Sequence, residues 1–324
     1  MRSKFAIIYH DLAVLLDAGL PIIKSIDTVS EGLQGHLRKI FSDVSKSVSK
    51  GNTFADSMAE YPKVFARLDL MLVKSAELSG ELPNCFKMLS NWYEFRNRIK
   101  GILISGLILP ILIFHIMVFI VPLPSMVLGQ ISITEYMMKV GKVLGLLYLL
   151  IGITLAVYHS VPNNGLFRRL LDVLILRTPI LGQAVRQLSI CRYCRGFNML
   201  YKAGVPITEC AAQAPELTGN LIIADMFQGG AASIAAGNMA YEGFSNKLPL
   251  DYLNIWQTGE QIGELDKMVD KIAEIAGDRA ELLFTEFAKW LPRLIYALVC
   301  LLLIIQILKM AGAIRDVTYF SGNT

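Results

Sequence analysis

Two acids recur at one place in this chain, and they are the first candidates for chemistry. Glu77 stands in Glu77-Leu78-Ser79-Gly80-Glu81-Leu82 and Glu260 in Glu260-Gln261-Ile262-Gly263-Glu264-Leu265. A carboxylate repeated in this way could dock a basic partner or a cation. The same pattern also describes a helix corner. Gly80 and Gly263 stop one helix, and Glu81 and Glu264 favour the positive N-terminus of the next. The readings are compatible, because a rigid corner can display an acid. A second repeated piece reads Ala18-Gly19-Leu20-Pro21 and Ala203-Gly204-Val205-Pro206. Gly19 and Gly204 suit the left-handed position after a helix, and Pro21 and Pro206 suit the first turn of the next one.

Other reactive residues give weaker patterns. Cys191-x-x-Cys194 has no second cysteine pair or nearby histidine to complete a four-ligand zinc set. It reads as two cysteines on neighbouring turns of a helix. His10, His36, His115 and His159 are too far apart in sequence for a metal set. His115 lies within an apolar run, five residues past Pro110. An ionisable group there is a functional candidate by default. The plainer expectation is a neutral imidazole bonded to a facing helix, where Pro110 frees a carbonyl and kinks the span. There is no Walker A sequence, no His-Glu-x-x-His and no Gly-x-Ser-x-Gly. The apolar runs hold no Asp or Glu, which removes an intramembrane aspartyl protease and a carboxylate proton relay. No catalytic residue, cofactor or metal is expected.

The elements that must position these residues are helices, and some belong in a bilayer. The chain has 324 residues, 54% of them hydrophobic, with mean hydropathy +0.48. Gly101 to Leu123, Val143 to Val161 and Leu294 to Leu308 are uncharged, and the last run continues to Ile314 past Lys309. A hydrocarbon core about 30 Å thick takes roughly 20 residues of helix, so three spans are expected. Arg96, Arg98 and Lys100 precede the first, Arg168, Arg169 and Arg177 follow the second, and Lys289 and Arg293 precede the third. This bias puts both large polar segments in the cytoplasm and the short loop and C-terminal tail outside. Lys309 and Arg315 run against the rule at the tail. Asp11 and Asp17 interrupt the first apolar stretch, so the first span is expected to serve as its own insertion signal. The arginines from Arg168 to Arg195 suit anionic lipid headgroups better than nucleic acid. The five cysteines are too scattered for a disulfide framework, and those in the polar segments should stay reduced.

Helix signals dominate the polar segments. Phe5 to Asp17 reads as a helix. Leu37, Ile40, Phe41, Val44 and Val48 form a stripe at helical spacing ended by Gly51. Thr53 and Asp56 resemble a capping box opening a short helix to Glu60. A further helix covers roughly Leu68 to Leu78, and the last starts near Glu81 and runs on into the first span. The second segment repeats this plan, with Gly237 echoing Gly51 and Pro249 echoing Pro62. Leu82, Cys85, Phe86, Leu89, Trp92 and Tyr93 match Leu265, Met268, Val269, Ile272, Ile275 and Ala276, every pair differing by 183. One apolar register kept twice means one bundle duplicated. The expected architecture is an all-α membrane protein with two homologous cytoplasmic bundles of about six helices each and three transmembrane helices. The first bundle covers 1–100 and the second 162–290. Spans cover 101–123, 143–161 and 291–314, with an external loop at 124–142 and a tail at 315–324.

These residues resemble the F-protein family of type II secretion systems, which includes the inner-membrane platform proteins of type IV pilus machines. The marks are the two Ala-Gly-x-Pro pieces, Glu77-x-Ser79-Gly80-x-Leu82, Gly259-Glu260-x-x-Gly263-x-Leu265, the linker Thr178-Pro179-Ile180-Leu181-Gly182 leading into Arg192, and Pro110. Two features depart from the pattern. The first module begins within a few residues of Met1, as in the shorter pilus-type members. Gln261-Ile262 replaces the family's acid or small residue followed by Ser. The resemblance implies a multi-pass protein of the bacterial inner membrane with its N-terminus in the cytoplasm. Its modules would contact a hexameric assembly ATPase, and its membrane part would handle pilin or pseudopilin among other inner-membrane assembly proteins. It implies no catalytic set. A homo-oligomer is expected, because Gly141, Gly145 and Gly152 permit close helix approach. The competing readings are a small transporter or channel subunit, a membrane receptor scaffold and, last, an intramembrane enzyme.

Overall fold

A computed structural model describes residues 4–127, 129–160 and 165–321. Among these the secondary structure is helical throughout, without a strand. The chain forms two compact units: Met1–Lys100 with Asp172–Glu281, and Gly101–Leu171 with Leu282–Thr324. Both polar modules thus share the first unit.

In chain order the helices are α1 Phe5–Asp17, α2 Ile22–Glu31, α3 His36–Ser49, α4 Phe54–Ala59, α5 Arg67–Ser79 and α6 Leu82–Ile120. Then come α7 Leu123–Val127, α8 Ile133–Ser160, α9 Leu166–Arg177 and α10 Leu181–Lys202. The second module continues with α11 Ile207–Gln213, a 3-10 turn Ala214–Leu217, α12 Leu221–Phe227, α13 Gly229–Ala235, a 3-10 turn Ala240–Gly243, α14 Leu250–Ile262 and α15 Leu265–Ser321. The first module is built from α1 to α5 and the N-terminal part of α6. In the second, the counterpart of α3 is split into α12 and α13 at Gln228, and the counterpart of α4 is a 3-10 turn.

The first module's core follows the apolar stripes. Leu37, Ile40, Phe41 and Val44 of α3 are buried, as are Cys85, Phe86, Leu89, Trp92 and Tyr93 of α6. Val269, Ile272 and Ala276 fill the same register of α15. Phe5, Tyr9, Phe65, Phe86 and Tyr93 form a chain of ring contacts in the first module. In the second, Trp256 packs against Tyr193, Phe197 and Phe244. Aromatic pairs of this kind add stability beyond the area they bury.

Asp69 is a charged residue at the centre of the first core, fully buried. One oxygen, Oδ2, accepts the Tyr93 hydroxyl at 2.7 Å and the Ala66 N–H at 3.0 Å. The other, Oδ1, has no hydrogen-bond partner. Burial raises the carboxyl above its ordinary value, while the Tyr93 and Ala66 bonds and the nearby Arg96 charge pull it down. A carboxyl whose folded pKa is raised holds its proton longer in the folded state than in the unfolded chain. Its stability contribution is therefore present below the ordinary carboxyl pKa and is lost as pH rises through the raised value. Asp69→Asn is expected to abolish that fall. Thermal midpoints of the two proteins from about pH 4 to pH 8 test this; parallel curves would refute it.

The second unit holds apolar helices. Among the described residues two stretches are long and apolar enough to cross a membrane, Leu82–Val127 and Ile133–Ile153. The second helix starts at Ile133, well before the uncharged run, so part of the expected external loop is helical. Ser132 and Glu135 explain this start. The Ser132 N–H donates to Glu135 Oε2 at 3.1 Å and the Glu135 N–H to Ser132 Oγ at 3.2 Å, a reciprocal capping box. Tyr136, Val118 and Val140 pack together beside it, and the Tyr136 hydroxyl donates to the Phe119 carbonyl at 3.0 Å. Gly106 faces Ala288 so closely that any Cβ would overlap its methyl group, so α6 and α15 approach here through small residues. α6 remains one helix through Pro110. The segment expected as a third span, 291–314, falls within α15. The side chains of Gln306, Lys309 and Arg315, and that of His159, lie outside the described residues, as does the end of the tail.

Candidate functional site

The repeated pieces build the same device twice. α1 ends in a Schellman turn: the Gly19 N–H donates to the Leu16 carbonyl at 2.9 Å and the Leu20 N–H to Leu15 at 3.1 Å. α10 ends identically, with Gly204 N–H to Tyr201 at 3.0 Å and Val205 N–H to Leu200 at 3.1 Å. Gly19 and Gly204 both have φ +81°, a conformation that disfavours any side chain. Pro21 and Pro206 sit one position before the expected first turn, as N-caps with ψ 145° and 138°. Each gives its carbonyl to the first helical bond, to Ser25 N–H at 3.0 Å and Cys210 N–H at 2.9 Å.

The second pair of pieces forms latched corners. Gly80 (φ +76°) and Gly263 (φ +73°) end α5 and α14 in the left-handed conformation. The Glu81 N–H returns to the Ala76 carbonyl at 2.9 Å and the Glu264 N–H to Gly259 at 3.0 Å. One turn earlier, Glu77 accepts the Phe54 N–H at 2.7 Å and the Ala55 N–H at 3.1 Å. Glu260 accepts the Ala240 N–H at 2.7 Å and the Tyr241 N–H at 3.1 Å. The distances coincide between the copies.

The physical reason is the unmet donors at a helix start. Among the first helical residues of α4, Glu77 takes the N–H groups of Phe54 and Ala55, and the Thr53 hydroxyl takes that of Asp56 at 3.0 Å. A carboxylate there also meets the positive end of the helix dipole. Each glutamate thus pins a short helix or turn to the end of α5 or α14, where α6 or α15 begins. A docking role for these acids would draw on oxygens already held by backbone donors.

The remaining candidates are placed as follows. Cys191 and Cys194 lie buried on neighbouring turns of α10. Burial lifts the Cys191 thiol to about 11 and raises that of Cys194 well above its ordinary value, so neither is a ready nucleophile. Among the described residues no His, Cys, Asp or Glu group is arranged to hold a metal. In the second unit, His115 Nδ1 lies 2.7 Å from the Ile111 carbonyl and Nε2 lies 2.6 Å from the Tyr148 hydroxyl. A carbonyl only accepts, so Nδ1 carries the proton, and Nε2 can accept from Tyr148 on α8. The ring satisfies itself on Ile111 rather than on the Gly106 carbonyl that Pro110 deprives of a donor.

Residues 8–128 and 193–311 match the family model described as Type II secretion system (T2SS), protein F. The chain belongs to this family. The two matched segments contain the two copies of the latched corner. The chain is 24% identical over 291 residues to the type IV pilus assembly protein PilC of Pseudomonas aeruginosa, covering 83% of this chain and 77% of that protein. It is 27% identical over 295 residues to the type II secretion system protein F of Aeromonas hydrophila, covering 84% and 75%. It is 25% identical over 296 residues to PilC of Thermus thermophilus, covering 84% and 72%.

In this F-family chain the contacts between modules had no signal in the sequence. Arg67 of α5 pairs with Glu216 at 3.1 Å, and the Ser75 hydroxyl donates to the Ala203 carbonyl. Arg98 meets Glu281 at 3.3 Å. The Arg195 guanidinium lies 4.0 Å from the centre of the Phe95 ring, a cation–π contact. Arg98, Arg195 and Ala203 carry other signals, but nothing in the sequence marks these pairings, because a contact across a fold leaves no local periodicity. Ile180, in the family-like linker, has φ +60°. That conformation is strained for a β-branched residue.

Proposed function

We propose that this chain is the inner-membrane platform protein of a type IV pilus or type II secretion machine. Its two modules lie in the cytoplasm with the N-terminus, and three spans cross the membrane. The modules couple a hexameric assembly ATPase to the polymerisation of pilin or pseudopilin. Arginines next to the spans hold anionic lipids. The observation that carries this reading is the pair of latched corners at the starts of α6 and α15. A carboxylate that pins a neighbouring element at each helix start makes a stiff handle for force, and the F-family match supports the setting in which such force is used. The chain works as a scaffold and coupler rather than as an enzyme.

Co-purification of the cross-linked full-length protein from membranes tests the reading. A hexameric ATPase or a pilin-like subunit is expected among the partners, and repeated absence of both would remove it. A mechanical prediction accompanies this. α6 is a single helix from Leu82 to Ile120, so force on the first module should travel along it. Two or three glycines inserted after Lys100 each cost about 1 kcal/mol of helix stability and soften the rod. Near-complete loss of fibre assembly or secretion is expected, with protein level and ATPase binding retained. Normal assembly would sink the lever idea.

A further inference from the structure

α9 reads Leu166-Phe167-Arg168-Arg169-Leu170-Leu171-Asp172-Val173-Leu174-Ile175-Leu176-Arg177. Neither the spans nor the latched corners account for it. Asp172 is buried, and its Oδ2 accepts the Leu221 N–H at 2.8 Å, one of the unmet donors at the start of α12. Gly182 of α10 passes so near the end of α9 that a Cβ there would overlap the Leu176 carbonyl. Between the two helices, Pro179, Ile180 and Leu181 make a tight γ-turn. Ile180 has φ +60° and ψ −62°, and the Leu181 N–H donates to the Pro179 carbonyl at 2.6 Å. A cap, a backbone crossing and a turn thus clamp one side of α9 to the second module.

The other side is open. Phe167, Leu170 and Leu174 follow one another at helical spacing and are 49%, 61% and 60% exposed. Ile175 lies beside them and is exposed as well. At 3.6 residues per turn, Arg177 falls next to Leu170 on one edge of this face and Arg168 next to Ile175 on the other. A clamped helix cannot roll over to bury the face on its own module. Adjoining apolar side chains left open in this way mark a contact surface.

The position and form of the helix identify what it contacts. Only residues 161–165 separate α9 from the end of α8, and a chain of that length reaches at most about 22 Å. A helix tethered so closely to a span starts at the bilayer surface. With twelve residues, α9 is about 18 Å long, too short to cross a core about 30 Å thick. An apolar face with guanidinium groups at both edges suits a helix lying in the plane of the interface. The arginine stems can follow the apolar surface and leave their charges among the headgroups.

We propose that α9 lies flat in the membrane interface, with Phe167, Leu170 and Leu174 among the acyl chains and Arg168 and Arg177 at the headgroup phosphates. Its clamp then fixes the second module against the lipid surface. The inference rests on the reading that α8 crosses the bilayer. It goes beyond an electrostatic hold by arginines, because apolar side chains enter the lipid.

The test uses full-length Cys300→Ser protein in vesicles of phosphatidylcholine and phosphatidylglycerol, with one bimane-labelled cysteine per variant. Cys85, Cys191, Cys194 and Cys210 are buried. A label at Leu174→Cys should be quenched by a nitroxide on the lipid acyl chain and shielded from iodide supplied on both sides. A label at Arg169→Cys, on the far side of the helix, should show the reverse. Leu149→Cys, at an exposed position of α8, reports the span alone through the same nitroxide. Quenching at Leu149→Cys without quenching at Leu174→Cys would overturn the proposal and leave the span standing. In that case access of iodide to Leu174→Cys would indicate a face open to water, and protection from it a face covered by a second copy. No quenching at Leu149→Cys would remove the span, and this proposal with it. Phe167→Glu with Leu170→Glu should abolish the lipid quenching at Leu174→Cys and spare that at Leu149→Cys. Unchanged quenching at Leu174→Cys in that variant would also overturn the proposal.

Discussion

Removing both corner acids, Glu77→Ala with Glu260→Ala, is expected to destabilise the first unit by about 3 kcal/mol per corner. Each carboxylate holds two backbone N–H groups, and hydrogen bonds to a charged group are the strong class. Alanine leaves those donors to be met by water at the helix start. Glutamine at either place should restore part of the loss, because its carbonyl can accept one N–H while its amide nitrogen turns a donor toward the other. Hydrogen exchange localises the effect. In Glu260→Ala the amides of Ala240 and Tyr241 should lose protection first, and in Glu77→Ala those of Phe54 and Ala55 should do so. If those amides kept their protection while unfolding midpoints fell elsewhere, the latch would not be what holds the corner. Weakened binding of a partner protein with exchange unchanged would instead favour the docking reading of these acids.

A valine at Gly229 should be nearly as damaging. This glycine starts α13 where it crosses the 3-10 turn Ala240–Gly243. A Cβ there would overlap the Gly243 carbonyl oxygen and lie 2.9 Å from its carbon. The obstacle is backbone, so no rotamer change can relieve it. Overpacking a filled site costs about 1–3 kcal/mol, and a backbone obstacle belongs at the upper end. The turn displaced is the one Glu260 pins, so this substitution and Glu260→Ala should be strongly non-additive. Gly32→Ala is the matched control. Its Cβ would meet the Val29 carbonyl at an ordinary 3.6 Å, so a change near zero is expected. Unfolding midpoints of the single and double variants decide the matter, and full additivity would separate the crossing from the latch.

Some of the site was legible before any coordinates. Gly19, Gly80, Gly204 and Gly263 announce left-handed helix ends because few other residues adopt that conformation cheaply. α1 and α5 fall where apolar spacing put them, since a buried helical face must repeat with the helical turn. The destination of the Glu77 and Glu260 carboxylates was not legible. Phe54 and Ala55 offer main-chain N–H groups, and a backbone donor carries no mark in the sequence. Gly229 and Gly243 are equally silent, because each glycine is explained only by the other.

The doubled helical plan, the capped ends and the apolar segments were thus determined by the sequence alone, through local rules of helix termination and hydrophobic period. Tertiary structure alone decided that both modules share one unit, that Asp69 lies buried among aromatic rings, and that Ser75 meets Ala203. Duplication writes the same pattern twice, but a rotation between copies is a property of packing. Two related modules can therefore present unequal faces.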